Sequence, residues 1–285
     1  MTSVAVVTGA GGAMGSACAL ALAPAADVLL LTDIDEARLE ATASAAGGAA
    51  GAGAGAGAVC FAAGDLADER FATDLAARAA DLGQLYALVH TAGLSPSMAG
   101  WREILHVDLA ATARLLDVFL PHVARGSVAV CLASIAAHMG DFDPETEQLL
   151  AQPLAPDFED RIQAVLGGGE PDPGATYRLA KRGVIKLCER AAAGWGQRGG
   201  RVVSVSPGLI DTEMGRLELR NQPIKTWLAA QTPVQRFEHD SSPLPGRVDD
   251  IANAVAFLCS DRASFISGCD VRVDGGLIPA TNQHG

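Results

Sequence analysis

The sequence predicts an α/β fold, one doubly wound parallel sheet of seven strands flanked by helices, and three observations carry that expectation. Short runs of Val, Leu and Ala recur along the 285 residues without polar alternation, as strands covered on both faces require. Stretches with apolar residues at helical spacing separate these runs. A glycine-rich turn joins the first run directly to the first helix, where exposed backbone amides can face an anion.

The expected strands are SVAVVT (3–8), DVLLLTD (27–33), AVCFAA (58–63), LYALVH (85–90), SVAVCLAS (127–134), RVVSVS (201–206) and DVRVDG (270–275). Between them, ARLEATASAA (37–46), ERFATDLAARAADL (69–82), EILHVDLAATARLLDVFLPHV (103–123) and DDIANAVAFLCS (249–260) read as crossover helices. The segment GGAAGAGAGAGA (47–58) reads as a flexible loop without chemistry, because each Gly in a helix is about 1 kcal/mol worse than Ala. Residues 1–285 form one domain with two departures from the repeating unit. An insertion at 137–174 holds the short helical stretches PETEQLLAQ and FEDRIQAVL, and a substrate-loop region spans 211–245. Both follow strand ends, so both are expected to wall a substrate site.

Composition narrows the function classes. With 49% hydrophobic residues the chain can bury a large core, and its net charge of −12 offers no footprint for nucleic acid or an anionic membrane. The six cysteines and six histidines are dispersed without metal-ligand spacing, so no metal site and no disulfide framework is expected. The start, MTSVAVVTGAGG, reads as neither a signal peptide nor a membrane span, and the expected location is cytoplasmic.

In VVTGAGGAMGSACALAL, a strand, a glycine turn and a helix follow in immediate succession. Gly9, Gly12 and Gly15 would let the backbone approach a pyrophosphate, with the helix start at Ala13 and Met14 aimed at the anion. A tight turn that simply needs Gly is the alternative. The second strand ends in Asp33, eighteen positions after Gly15, where a carboxylate can accept hydrogen bonds from an adenosine ribose. Asp33 could instead cap the next helix, although Asp35 is available for that. A carboxylate there repels a 2′-phosphate, and the sequence places no Arg or Lys in the loop or next to Asp33. NAD is therefore expected over NADP, on a Rossmann-like domain.

One of only two tyrosines, Tyr177, stands four residues before Lys181 in ATYRLAKRG, so the phenol and ammonium share a helix face. By itself this pattern also describes an ordinary surface helix. Taken with the T-G-x-x-x-A-x-G spacing of Thr8–Gly15, GDLAD (64–68), TAG (91–93), LAS ending in Ser134, SPGLIDTEM (206–214) and the terminal GRVDDIANAVAFLCSDRASFISGCDVRVDGG, the chain resembles the short-chain dehydrogenase/reductase family over nearly its whole length. The pattern is most similar to the hydroxysteroid dehydrogenase/carbonyl reductase subgroup, which carries an insertion before Tyr-x-x-x-Lys; here Ser134 and Tyr177 are 43 positions apart.

The resemblance implies Ser134, Tyr177 and Lys181 as the catalytic trio. It also implies that Asp65 and Leu66 hold the adenine, that Ala92 and Gly93 pass along the adenosine ribose, and that Pro207, Gly208, Ile210 and Thr212 border the nicotinamide side. Tyr177 would exchange the carbinol proton, Lys181 would hold the nicotinamide ribose and lower the phenol pKa, and Ser134 would bond the substrate oxygen. Two family asparagines are replaced. Asp108 stands where the family holds a water linked to the lysine, either altering that relay or serving only the helix. Thr91 is expected to affect strand support more than chemistry. The insertion lies near the helix that the subgroup's relatives use for four-subunit packing, which implies a homodimer over a tetramer.

Met139, Phe142, Leu209, Met214, Leu217, Trp227 and Leu228 either line an apolar pocket or pack the inserted helices. The expected function is thus an NAD-dependent oxidoreductase interconverting a small hydrophobic secondary alcohol and its ketone, a hydroxysteroid being one such substrate. The alternative is an NAD-binding homologue without turnover, a redox sensor or scaffold.

Overall fold

Seven parallel strands form one sheet in the order β3-β2-β1-β4-β5-β6-β7. They are β1 (Ser3–Thr8), β2 (Val28–Asp33), β3 (Ala58–Ala63), β4 (Gln84–His90), β5 (Val128–Leu132), β6 (Arg201–Pro207) and β7 (Cys269–Val273) in the computed structural model, which describes residues 1–47, 57–234 and 244–282. Each expected strand is present within two residues at either end. The interior strand β5 is buried throughout, whereas the edge strand β7 is mostly accessible. That gradient is why the VAVCL run is continuous and DVRVDG alternates.

Among the described residues, α-helices connect and flank the strands: α1 (Ala13–Leu22), α2 (Glu36–Ala45), α3 (Glu69–Leu82), α4 (Trp101–Ile104), α5 (Ala111–Phe119), α6 (Pro144–Leu150), α7 (Phe158–Val165), α8 (Pro173–Gln197), α9 (Glu213–Asn221), α10 (Ile224–Gln231), α11 (Val248–Cys259) and α12 (Leu277–Thr281). Asp35, Asp68, Asp143 and Asp172 cap the starts of α2, α3, α6 and α8 by accepting backbone N–H bonds, satisfying donors that an uncapped helix leaves orphaned. The expected single helix over 103–123 is interrupted by a π-helical turn at Leu105–Ala110 between α4 and α5. Such turns widen the helix locally and leave a side chain re-aimed. The one re-aimed here includes Asp108.

The sheet separates two apolar layers. Leu75, Leu105, Leu115, Phe119 and Trp195 of α3, the α4–α5 segment and α8 cover one face, and Cys18, Leu22, Leu39, Ile251 and Leu258 of α1, α2 and α11 cover the other. A smaller cluster of Ile135, Leu209, Leu228, Leu244, Leu277 and Ile278 lies beside the carboxyl ends of β5 and β6. The inserted α6 is fastened to α8 by Arg182 and Lys186, which both reach Glu147. Residues 48–56 of the glycine segment and 235–243 of the 211–245 region fall outside the described residues. Among the described residues no metal-holding cluster occurs, and no helix is long and apolar enough to cross a membrane.

Candidate active site

Chain order reverses between β1 and β4, the neighbours at the middle of the sheet, and the crevice above such a switch point is where open α/β sheets take ligands. The glycine turn leaves β1 at this place. Gly9 has φ +68, and a Cβ there would come within 2.5 Å of the Ala92 amide nitrogen. A Cβ on Gly15 would collide with the Gly9 carbonyl and the Thr91 hydroxyl. Both positions need Gly so that β1, β4 and α1 can close around a backbone cradle. The α1 start, with Gly12, Ala13 and Met14, opens onto that cradle with no acidic residue in its first turn, a fit for a dinucleotide pyrophosphate.

Asp33 ends β2. Its Oδ2 accepts from the Gly11 amide at 3.0 Å and its Oδ1 from the Asp35 amide at 3.1 Å. Asp35, not Asp33, caps α2 by accepting from Arg38 N at 3.1 Å, so the capping alternative for Asp33 falls away. The sequence reading placed no cation beside Asp33. The fold brings one there: the stem of Arg38 rests against Gly11, and its guanidinium pairs with Asp35 at 3.4 Å and Glu213 at 3.1 Å.

The remaining cofactor-side candidates also gather at strand ends. Leu66 is buried, and Asp65 accepts from the Ala67 amide at 2.8 Å. Thr91 donates to the Thr8 carbonyl at 2.7 Å, tying β4 to β1, which is the support role expected of it. Beside it, Ala92 lies against Gly9, and Gly93 faces the Lys181 ammonium closely enough that a Cβ there would sit 3.0 Å from Nζ. On the far side, Pro207 ends β6, and Gly208 donates to Val273 O at 2.9 Å. Ile210 bridges to Gly246, and Thr212 caps α9.

Ser134, Tyr177, Lys181 and Asp108 converge beside this cradle. Ser134 is the cap of a 3-10 turn at Ile135–His138, just past β5. Tyr177 and Lys181 share one face of α8, with Nζ 5.6 Å from the Tyr177 ring centroid. The ammonium donates to the Leu132 carbonyl at 3.3 Å and meets Asp108 Oδ2 at 3.1 Å, with the Lys181 side chain 7% exposed and that of Asp108 fully buried. Asp108 Oδ1 accepts from the Leu94 amide at 2.7 Å. The carboxylate is therefore placed by the π turn, and its direct partner is the lysine.

This pair changes the electrostatics expected of the site. Burial pushes the Tyr177 phenol well above its ordinary value, the Asp108 and Glu218 carboxylates push it further, and a hydrogen bond with Ser134 opposes them. The expected lowering by Lys181 does not prevail, because burial disfavours the phenolate and Asp108 sets a carboxylate directly against the ammonium. Asp108 is itself lifted by burial, against the pull of Lys181 and the Leu94 amide.

Sequence reasoning did not single out His90, although a histidine ending an apolar strand was a visible signal. Its Nδ1 lies 2.7 Å from Thr8 Oγ1 and its Nε2 lies 3.0 Å from Thr112 Oγ1. Because Thr112 spends its proton on the Asp108 carbonyl at 2.8 Å, it accepts from Nε2–H, leaving Nδ1 to accept from Thr8. Burial first and the Lys181 charge second push His90 down to about 3. A depressed folded value means stability that is complete above the unfolded pKa, about 6.5, and lost as pH falls toward the folded one. Urea titrations from pH 7 to 4 are expected to show a flatter acid slope for His90→Gln, by up to about 1.4 kcal/mol per pH unit. Parallel slopes would contradict a neutral buried His90.

The apolar candidates divide. Leu209 and Leu228 are buried with Ile135, next to Ser134, and Met139 packs on that cluster. Phe142 packs on the main core with the Arg182 guanidinium 5.7 Å above its ring, so it belongs to the insertion's packing. Met214 and Leu217 on α9 are half-buried, and Trp227 on α10 is exposed.

The family model described as short chain dehydrogenase matches residues 3–143, and one described as Enoyl-(Acyl carrier protein) reductase matches 165–278. A cis-4-hydroxycyclohexanecarboxylate dehydrogenase of Sinomonas cyclohexanicum is 30% identical over 276 residues, covering 96% of this chain and 95% of the relative. The chain belongs to the short-chain dehydrogenase/reductase family. Within that family, a 3-alpha-hydroxysteroid dehydrogenase/carbonyl reductase of Comamonas testosteroni is 27% identical over 193 residues, covering 67% of this chain and 71% of the relative. Among solved structures, a 7 alpha-hydroxysteroid dehydrogenase complexed with NADH and 7-oxo glycochenodeoxycholic acid superposes with TM-score 0.72 at 22% identity, covering 96% of this chain and 93% of that one. The expected seven-stranded Rossmann-like fold and the resemblance read from the motifs thus both hold, and this SDR chain is an oxidoreductase by family.

Proposed function

We propose that this protein is an NAD-dependent dehydrogenase/reductase that interconverts a hydrophobic secondary alcohol and its ketone, a hydroxysteroid being one candidate. The observation that carries the reading is the convergence of Ser134, Tyr177 and Lys181 at the carboxyl end of β5, beside the glycine cradle. When bound, NAD supplies the hydride acceptor. Gly9, Gly12, Ala13, Met14 and Gly15 receive its pyrophosphate, and Asp33 receives the adenosine ribose. Asp65, Leu66, Ala92 and Gly93 border the adenosine. Pro207, Gly208, Ile210 and Thr212 border the nicotinamide side. Ser134 donates a hydrogen bond to the substrate oxygen, and Tyr177 takes the carbinol proton during oxidation and returns it during reduction. Lys181, held by Asp108 and the Leu132 carbonyl, keeps an ammonium at the foot of the phenol and hydrogen-bonds the nicotinamide ribose.

NAD is preferred because Asp33 sets a carboxylate, fixed by the Gly11 amide, where a 2′-phosphate would lie. Arg38 points its charge at Asp35 and Glu213. Replacing Asp33 by Ala is expected to raise the KM for NAD and bring the two cofactors' kcat/KM values within about tenfold of each other. A tighter fit of NADP to the unmodified protein would refute the charge argument.

NADH formation across a panel of alicyclic and steroid alcohols tests the function directly; silence with every member would remove it. One observation favours a second reading, an NAD-binding sensor or scaffold without turnover: the charge of Lys181 is balanced by Asp108, and Tyr177 is raised. Cofactor binding with no turnover in that panel would select it. The protein is proposed to be a cytoplasmic homodimer, the α6–α7 insertion packing on the α8 helix that a four-subunit contact would need.

A further inference from the structure

The roof of the site contains an ion pair that the proposed chemistry does not use. Glu218 on α9 and Lys225 on α10 meet at 3.2 Å, with their side chains only 13% and 17% exposed. Their helices leave the carboxyl end of β6. At its start α9 reaches α2 through Glu213 and Arg38, and just past its end the Gln222 amide donates to the Ser97 hydroxyl at 3.4 Å, in the loop that follows β4. Because Leu228 of α10 clusters with Ile135 and Leu219 of α9 packs against the same cluster, the two helices lie beside the turn that follows β5 and carries Ser134. The Glu218 charge also contributes, after burial and Asp108, to raising the Tyr177 phenol.

Taking two charges out of water is unfavourable, and a well-packed apolar pair would serve the roof equally well or better. What the pair adds is hydrogen-bonding capacity. A carboxylate has about four acceptor sites and an ammonium three donors, so one mutual contact leaves capacity on both. The pair is neutral as a unit and therefore does not select a charged group. An anion drawn to Lys225 would meet Glu218, and a cation drawn to Glu218 would meet Lys225. A hydroxyl satisfies both, donating to Glu218 and accepting from Lys225. The cluster of Ile135, Leu209, Leu228 and Met139 beside Ser134 is apolar, which suits a hydrocarbon ring as the body that carries such a group.

We infer that the substrate is a neutral alicyclic alcohol bearing a second hydroxyl, which the Glu218–Lys225 pair binds while the first hydroxyl reacts at Tyr177 and Ser134. This rests on the dehydrogenase reading above. The test compares NADH formation from cyclohexanol, the cyclohexanediol isomers and 4-hydroxycyclohexanecarboxylate, using the intact protein with NAD. At least one diol is expected to exceed cyclohexanol in kcat/KM by about tenfold or more, as a hydrogen bond to a charged group allows, and to exceed the carboxylate. In Glu218→Gln, and in the double variant Glu218→Gln/Lys225→Met, the diol-to-cyclohexanol ratio is expected to fall toward one, mainly through KM.

Equal use of diol and cyclohexanol by the unmodified protein overturns the inference and leaves the dehydrogenase reading standing. A preference for the carboxylate also overturns it, assigning Lys225 to an anion instead. A diol preference that survives both substitutions overturns the role of the pair. Absence of turnover with every alcohol removes the dehydrogenase reading and this inference together. The ratio in the unmodified protein decides the substrate class even where a variant fails to fold.

Discussion

Tyr177→Phe is expected to lower kcat for alcohol oxidation by roughly 10²- to 10⁴-fold, the range a positioned acid/base group contributes. NADH binding, followed by fluorescence, should change little. The substitution removes one oxygen from a half-buried ring on α8 and leaves the ring's packing against the main core intact, so loss of fold would not account for the loss of rate. Retention of kcat within a factor of about three would assign proton exchange to another group. Ser134 is the member of the trio that could then be tested, because it acts to lower the same phenol.

Asp108→Asn is expected to move the pH profile of oxidation toward lower pH. In the unmodified protein, burial first and the Asp108 carboxylate second hold the Tyr177 phenol above its ordinary value. Oxidation requires the phenol to accept a proton, so its rate rises as pH climbs through the phenol's pKa. Removing the carboxylate's negative charge favours the phenolate, and the rising limb begins earlier. Asparagine still offers its one oxygen to Lys181, so the lysine keeps an acceptor, while its NH2 group then faces the Leu94 amide, which loses one. Asp108→Ala does not, and stranding an ammonium that is 7% exposed should cost about 3–5 kcal/mol in urea unfolding. A pH profile unchanged by Asp108→Asn would show that Asp108 serves only the helix.

The two predictions separate what the family pattern implies from what this chain adds. Ser134, Tyr177 and Lys181 would support proton exchange in any member with the same geometry. The Asp108–Lys181 pair is particular to this site, and it sets a carboxylate where the resemblance leads one to expect an amide. Its effect on Tyr177 is readable only in three dimensions, because the residues come from different elements and meet through a π turn at Leu105–Ala110. A helical pattern scored at 3.6 residues per turn has no means of signalling a local change to a wider turn.

Other differences between expectation and structure share that cause. No Arg or Lys stands next to Asp33 in the sequence, yet the stem of Arg38 rests on Gly11 and its charge bridges to Glu213. Phe142 could line a pocket or pack the insertion by its sequence, and its place on the main core beneath Arg182 decides for packing. Glu218 and Lys225 are ordinary surface residues by composition, and only the folding of α10 back onto α9 brings them together and shields them.

By itself the sequence determined the strands, most of the crossover helices, the glycine cradle and the pairing of Tyr177 with Lys181. Each of these is local: periodicity, caps, glycine positions and i, i+4 spacing act within a few residues, so linear order encodes them. Only the tertiary structure decided that Asp108 faces Lys181, that His90 hangs between Thr8 and Thr112 as a neutral ring, and that an ion pair is enclosed in the roof near Tyr177. Those outcomes depend on burial and on charges brought together from distant elements, which raise or lower an ionisation only once water has been excluded from around them.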